Sequence, residues 1–322
     1  MTGSNFDLRG RRIWVAGHRG MVGSAVVRRL RSEDCDVVTA PRNTVDLRDQ
    51  RAVGDWLEAT RPDGVVLAAA KVGGILANDA YPADFIYDNL VIEANVIHAS
   101  FRASVRKLLF LGSSCIYPRL AAQPIIEDAL LSGELEPTNQ WYAVAKIAGI
   151  KMCQAYRRQH GCDFVSAMPT NLYGPGDNFD LHTSHVLPAM IRKMHDAKVR
   201  GTGTVDLWGT GRPKREFLYV DDCADGLVFL MKHYSADPHI NIGTGVDIGI
   251  RDLALKIAQI VGYKGEITFD ASKPDGTPRK LLDVSRLRRL GWSPKTSLDD
   301  GIHRTYRWFA EHAAERTDAA RP

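Results

Sequence analysis

Tyr142 and Lys146 stand at i and i+4 in "WYAVAKIAG", a spacing that puts two side chains on one face of a helix. The pair suits one kind of chemistry. Hydride addition to a ketone leaves an alkoxide that needs a proton, and a phenol of pKa about 10 releases one reluctantly at neutral pH. An ammonium one turn away favours the phenolate and is expected to lower that pKa. Upstream, "KLLFLGSSCIYP" (Lys107–Pro118) leads an apolar strand into Gly112, Ser113, Ser114 and Cys115. A serine at a strand end can orient a carbonyl. A cysteine there is ordinarily a small buried filler. As a thiolate, favoured by a charged neighbour, it is instead a base or nucleophile. The residues alone leave both readings of Cys115 open.

Nearer the N-terminus, "VAGHRGMVGSAVV" spaces Gly17, Gly20 and Gly23 as GxxGxxG, with His18, Arg19, Met21 and Val22 between them. An apolar strand precedes this turn and a helical pattern follows it. That context suits a dinucleotide pyrophosphate: the turn leaves room for close backbone approach, and a helix N-terminus supplies free N–H groups. An acid closing the second strand would favour the 2′-hydroxyl of NAD. Here "VVTAPRN" offers no acid but Arg42, and Arg19 lies within the turn, so NADP is the expected cofactor.

These residues need a scaffold that brings strand ends together. Through residue 174 the chain alternates strand and helix patterns, and the strands are apolar throughout. The expected fold is an α/β, Rossmann-type, doubly wound parallel sheet. After Pro175 the pattern becomes loops, one clear helix and short strands. The expected division is a dinucleotide-binding domain over 1–174, with returning segments near 213–245, and a smaller mixed α/β substrate domain over 175–322.

Bulk properties narrow the class further. The chain has 322 residues, 44% of them hydrophobic, enough for a large core. Its net charge of +4 is spread along the chain and does not suggest a nucleic-acid partner. No apolar run reaches the roughly 18 residues of a membrane span, and "MTGSNFDLRG" lacks the apolar stretch of a signal peptide. The five cysteines, at positions 35, 115, 153, 162 and 223, are widely spaced with no CxxC, which argues against a disulfide framework and a zinc site. No metal site and a cytoplasmic setting are expected.

Taken together, the glycine turn, "LAAAK", "GSSCIYP", YxxxK and "PTNLYGP" resemble the extended short-chain dehydrogenase/reductase family over nearly the whole chain. Many of its members act on nucleotide-diphospho-sugars. "AAAKVGGI", "YPADFIYDN", "EPTNQWYAVAKIAGIK", "SHVLPA" and "DASKPDGTPRKLLDVSRL" narrow the likeness to members that epimerise C3 and C5 of a GDP-linked 4-keto-6-deoxy sugar and reduce C4. The resemblance implies that Ser113 orients the carbonyl, Tyr142 protonates it, and Lys146 tunes the phenol. It implies that Cys115 and His185 are the base and acid of epimerisation; His185 taken alone ranks no higher than His182. It implies dinucleotide contacts at Leu111, Gly112, Ser113, Ser114, Lys146, Pro169, Thr170, Asn171, Leu172 and His185, beside those of the glycine turn. For the GDP-sugar it implies Lys193 (with Arg192 a competitor), Trp208, Arg215, Asp275 and Lys280, and it implies a homodimer. Lys193 stands where the family often has arginine, and Arg42 stands alone where some relatives carry two basic residues. A 4,6-dehydratase or 4-epimerase is the alternative within the family, but a dehydratase would carry Thr-Asp-Glu where this chain has Ser-Ser-Cys. From another class, a non-catalytic dinucleotide-binding regulator would typically lose the tyrosine or the lysine, and both are present.

Overall fold

The computed structural model describes residues 5–273 and 275–318. The chain runs β1 (Arg12–Ala16), α1 (Met21–Leu30), β2 (Asp36–Val38), α2 (Gln50–Thr60), β3 (Gly64–Leu67), α3 (Ile75–Ala80), α4 (Pro82–Arg102), β4 (Lys107–Leu111), α5 (Gln140–His160) and β5 (Asp163–Pro169). It continues through β6 (Asn171–Tyr173), α6 (Val186–Arg200), β7 (Thr204–Trp208), β8 (Lys214–Tyr219), α7 (Val220–His233) and β9 (Ile240–Ile242). The last elements are β10 (Asp247–Gly249), α8 (Ile250–Val261), β11 (Glu266–Asp270), β12 (Arg279–Lys280), α9 (Ser285–Arg289) and α10 (Leu298–Asp318).

Six strands form one parallel sheet in the order β2-β1-β3-β4-β5-β9, as the apolar strands and intervening helices predict. Successive side chains point to opposite faces of the sheet, and both sets are buried. Ile13, Val15, Leu109, Leu111, Val165 and Ala167 face a core shared with α1 and α7. Trp14, Ala16, Leu108, Phe110, Phe164 and Met168 face the opposite core, with α2, α4 and α5. Both faces are therefore covered, and polar chemistry is left to the strand ends. The chain leaves β1 toward β2 on one side and continues through β3 on the other, which makes the β1/β3 carboxyl ends a topological switch point, the usual ligand crevice of such sheets.

Beyond residue 175 the chain departs and then returns. β9 pairs with β5, Met168 against Asn241, so the sixth strand of the main sheet comes from this later segment. The rest builds around β8, which pairs with β6 and β12 in parallel and with β10 antiparallel, and around a β7–β11 ribbon. A third core, including Phe179, Leu187, Ile191, Leu253 and Ile257, fills this part. Among the described residues no helix is long and apolar enough to cross a membrane, and all five cysteines are unpaired.

Candidate active site

The glycine turn joins β1 to α1 at the switch point. Gly17 has φ +92°, and a Cβ on it would lie 2.6 Å from the Ala69 nitrogen, on the loop after β3. A Cβ on Gly23 would lie 2.1 Å from the Gly17 carbonyl oxygen. The fold itself thus requires these two glycines. Gly20 differs: its backbone is ordinary (φ −73°, ψ 163°), and a Cβ would meet nothing closer than 3.5 Å. No side chain caps α1 at Gly20, so its first N–H groups remain available. A space the protein does not fill, in front of an uncapped helix, fits a pyrophosphate. Arg19 is exposed. Arg42 follows β2, the neighbour of β1; its side chain is 71% exposed and loosely paired with Asp46 at 3.4 Å. Both guanidiniums are therefore accessible to a ligand phosphate.

At the end of β4, Gly112 leaves room for Met168, and Ser113 caps a short 3-10 turn, Ser114–Ile116, by accepting from the Cys115 N–H at 3.4 Å. That turn holds Ser113 and Cys115 beside α5, from which Tyr142 and Lys146 project. Tyr142 packs edge-on against Phe85, with ring centroids 6.4 Å apart. Its hydroxyl has Ser113, Cys115 and Glu93 as electrostatic neighbours. The surrounding protein, then Cys115 and Glu93, push the phenol pKa well above its ordinary value, and the Ser113 hydrogen bond only partly offsets this. The direction is opposite to the one the i,i+4 lysine predicts. Lys146 is fully buried, and its Nζ lies 3.0 Å from Oε1 of the equally buried Glu93 on α4, so its charge is already engaged.

Glu93 escaped the sequence reading. The signal was available: Phe85, Asn89, Glu93, Val96 and Ile97 follow helical spacing along α4 and all are buried. That pattern places an acid on the apolar face. Lys146 also sits over the Phe110 ring at 4.7 Å and within 5.8 Å of the Tyr142 centroid.

Cys115 is 7% exposed. Burial pushes its thiol pKa up, Lys280 works most strongly against this, and Ser113 and Lys146 assist Lys280. The expected lowered thiol is therefore not found, because desolvation outweighs the neighbouring cations. Lys280 lies in β12, in register with Arg215 of β8. Its own pKa is lowered by burial and raised by Cys115. The sequence assigns Lys280 to the GDP-sugar; the structure sets it against the thiol.

His185 is the residue before α6. Its loop is pinned to the segment after β3 by the Gly74 N–H donating to the Thr183 carbonyl at 3.0 Å, and a Cβ on Gly74 would lie 2.8 Å from the Ser184 oxygen. His185 keeps solvent-accessible surface yet is closely ringed by protein. That surrounding, with Lys280, lowers its imidazolium pKa. His182 is exposed as well, and its N–H donates to Asp180 within its own loop. Lys280 thus joins Cys115 and His185 electrostatically, a grouping that sequence spacing cannot reveal.

Thr170 and Asn171 follow β5 and donate side-chain hydrogen bonds to the Glu216 carbonyl, Asn171 at 2.8 Å. Leu172 packs on the first core, and Pro169 closes β5. In the later segment, Lys193 donates to the Asp206 carbonyl at 2.8 Å and lies 5.9 Å from the centroid of the half-exposed Trp208 ring. Arg192 instead pairs with Asp196 at 2.7 Å. Arg215 reaches the Asp275 carbonyl at 3.4 Å. The Asp275 carboxylate is occupied by Thr210, accepting from its N–H at 2.6 Å and its hydroxyl at 2.7 Å.

A Rossmann-type sheet, a glycine turn at its switch point, and a serine, tyrosine and lysine gathered at the next strand ends together define a dinucleotide-dependent enzyme class. Residues 13–243 match the NAD dependent epimerase/dehydratase family, and the chain belongs to that family. Among its relatives is a GDP-L-fucose synthase of Sinorhizobium fredii, 62% identical over 308 residues, 96% of this chain and 98% of the relative. The GDP-L-fucose synthase of Escherichia coli is 56% identical over 311 residues, 94% of this chain and 97% of that one. The crystal structure of a GDP-L-fucose synthetase from Naegleria fowleri bound to NADP superposes with a TM-score of 0.89 at 28% identity, covering 97% of this chain and 98% of the other.

Proposed function

We propose that the chain is an NADPH-dependent enzyme that epimerises C3 and C5 of GDP-4-keto-6-deoxy-D-mannose and reduces C4, giving GDP-L-fucose. The observation that carries this reading is the short turn after β4, which sets the Cys115 thiol beside Ser113 and the Tyr142 hydroxyl. A reductase acting at C4 alone needs no second proton-transfer group at that place. C3 and C5 both flank the ketone, and their protons are acidic because the anion delocalises onto the C4 oxygen. Inverting either centre takes a base on one face and an acid on the other. Cys115, whose ionisation Lys280 favours, removes a proton, and His185 returns one. Ser113 then holds the C4 oxygen, and Tyr142, strongly protonated in its buried setting, donates to it.

Uncapped α1, the space at Gly20, and the accessible Arg19 and Arg42 fit NADP(H). When bound, this cofactor supplies the hydride. His18, Met21, Val22, Leu111, Gly112, Ser114, Pro169, Thr170, Asn171 and Leu172 border it on this reading, with Lys146 holding the nicotinamide ribose. Lys193, Trp208, Arg215 and Asp275 hold the GDP arm, and the half-exposed indole offers the base a flat face. The same reading treats 1–174, with the returning 213–245, as the cofactor domain and 175–322 as the sugar domain. It places the enzyme in the cytoplasm as a homodimer joined through α4 and α5, on which Tyr87, Trp141 and Val144 are exposed. A sedimentation mass of one chain would remove the dimer.

The deciding experiment supplies GDP-4-keto-6-deoxy-D-mannose with NADPH in deuterated solvent and reads the product by NMR. The expected product is GDP-L-fucose with deuterium at C3 and C5. A C4-reduced product with both centres unchanged would overturn the epimerase half, and no NADPH oxidation would overturn the whole reading.

A further inference from the structure

Among the described residues Glu93 is the acid paired with the Lys146 ammonium, and the chemistry above assigns it nothing. It lies on α4, a helix that otherwise contributes packing to this face of the sheet, and is 1% exposed. Lys146 is 2% exposed, with its Nζ 3.0 Å from Glu93 Oε1. Neither carboxylate oxygen has a well-aligned hydrogen bond from a side chain, so charge holds the pair together. Space for it is built in. Gly149 follows Lys146 on α5, and a Cβ there would lie 2.7 Å from Glu93 Oε2 and 2.4 Å from Phe110 Cζ. One turn earlier on the same buried face of α4, Asn89 brackets Lys71 on the loop after β3, accepting from its N–H at 2.9 Å and donating to its carbonyl at 3.0 Å. The face of α4 toward α5 thus carries two polar groups, each with a defined partner.

We infer that Glu93 is a positioning residue of this active site: its carboxylate keeps Lys146 protonated and fixes the ammonium beside Tyr142. This rests on the proposed reduction of C4, in which Tyr142 gives a proton and Lys146 assists it. A lysine buried in an apolar surround tends to lose its charge unless an anion stays with it. Among the described residues, the titratable groups around the pair are Tyr142 on α5, Cys115 on the turn after β4, and Cys153 two turns beyond Lys146 on α5. All three are neutral when protonated and add cost when ionised; burial pushes the Glu93 carboxyl pKa up and the Lys146 charge works against this, so among the described residues Glu93 is the group that supplies the compensating charge. The same carboxylate raises the Tyr142 pKa, which keeps the phenol loaded with its proton before reduction. A pair that were only a packing device would have no reason to sit under the tyrosine.

Glu93→Gln keeps the shape and removes the charge. In cofactor-free protein, acetic anhydride labels only neutral amines, and peptide mass spectrometry reads Lys146 across pH. The labelling midpoint of Lys146 is expected to fall by about one pH unit or more in Glu93→Gln relative to the native chain. In steady-state reduction, the alkaline limb is expected to move down by the same amount, with kcat reduced about tenfold above neutrality and KM for the sugar little changed. Glu93→Asp should restore part of both shifts. If Glu93→Gln does not fold, Glu93→Asp with its longer pair provides the comparison, and a smaller shift in the same direction is expected. An unchanged Lys146 midpoint with a rate loss that is the same at every pH would overturn the inference and leave Glu93 a packing residue. The labelling uses neither sugar nor cofactor. A shifted midpoint in a protein that does not turn over the keto-sugar would therefore count against the proposed reaction and not against this role.

Discussion

A thiol buried away from water ionises late, and Cys115 shows how far that can be corrected locally. Burial raises its pKa and Lys280 draws it back. On the proposed role of the thiolate as base, solvent-deuterium exchange at C3 and C5 should rise with pH through the neutral range. Lys280→Met should move that limb to higher pH and slow exchange at neutral pH about tenfold, the effect of losing a close opposite charge. An unmoved limb would mean that another group is the base. Cys115→Ser separates the two halves of the reaction, since an alcohol is far too weak an acid to replace the thiol. Exchange should collapse while Ser113, Tyr142 and Lys146 still support C4 reduction, and normal GDP-L-fucose formation would reduce Cys115 to packing. Tyr142→Phe should do the converse, with a loss in reduction of about a hundredfold or more and cofactor affinity within a few-fold. At this scale the sequence named the candidate groups, which the structure brings together, and missed what surrounds them. Tyr142 and Lys146 are legible because a helix fixes their spacing. Glu93 and Lys280 act on them from other elements, and the directions of the phenol and thiol pKa values depend on those contacts and on burial.

Among elements, the β1–α1 turn separates two kinds of glycine. Gly17→Ala puts a Cβ against Ala69 at a positive φ, so it should destabilise the chain and lower the thermal midpoint whatever is bound. Gly20→Ala meets no protein atom closer than 3.5 Å, so the fold should tolerate it while NADPH binding weakens about tenfold or more. Equal stability losses in the two variants would remove the reading of Gly20 as ligand space. Arg42→Ala should weaken NADPH more than NADH, by roughly 1.5–3 kcal/mol for a charge-assisted contact. An equal loss for both cofactors would leave Arg42 a surface residue. The alternating strands and helices were readable at this level because each strand is apolar on both faces. The later segment was not, because its strands are short: β12 has two residues and β10 three, too few to show a period.

The whole molecule couples distant segments through buried polar groups. His239, just before β9, meets the Tyr117 hydroxyl at 2.9 Å, and that hydroxyl donates to Asn241. Burial, then Arg286 and Lys151, lower the His239 pKa to about 4. The folded value lies below the unfolded one, so the protein gains stability above the unfolded pKa and loses it as pH falls toward about 4. The shift is worth on the order of 3 kcal/mol. Urea midpoints measured across that window should fall less steeply in His239→Gln than in the native chain; parallel slopes would show that other groups set the acid limit. Glu216 is a second coupling. Its buried carboxylate accepts from the N–H groups of Thr244, Gly245 and Leu282 at 2.6, 2.7 and 2.9 Å, which anchors the segment just after Lys280. This has a consequence for how the protein is made. Synthesis is vectorial, and Ser113, Cys115, Tyr142 and Lys146 leave the ribosome more than a hundred residues before Lys280, while the sheet that carries them still lacks β9. A nascent chain therefore already holds most of the proposed acid–base groups but not the cation that lowers the thiol pKa. On the proposed roles, epimerisation competence is expected late in translation, once the strand bearing Lys280 has docked on β8.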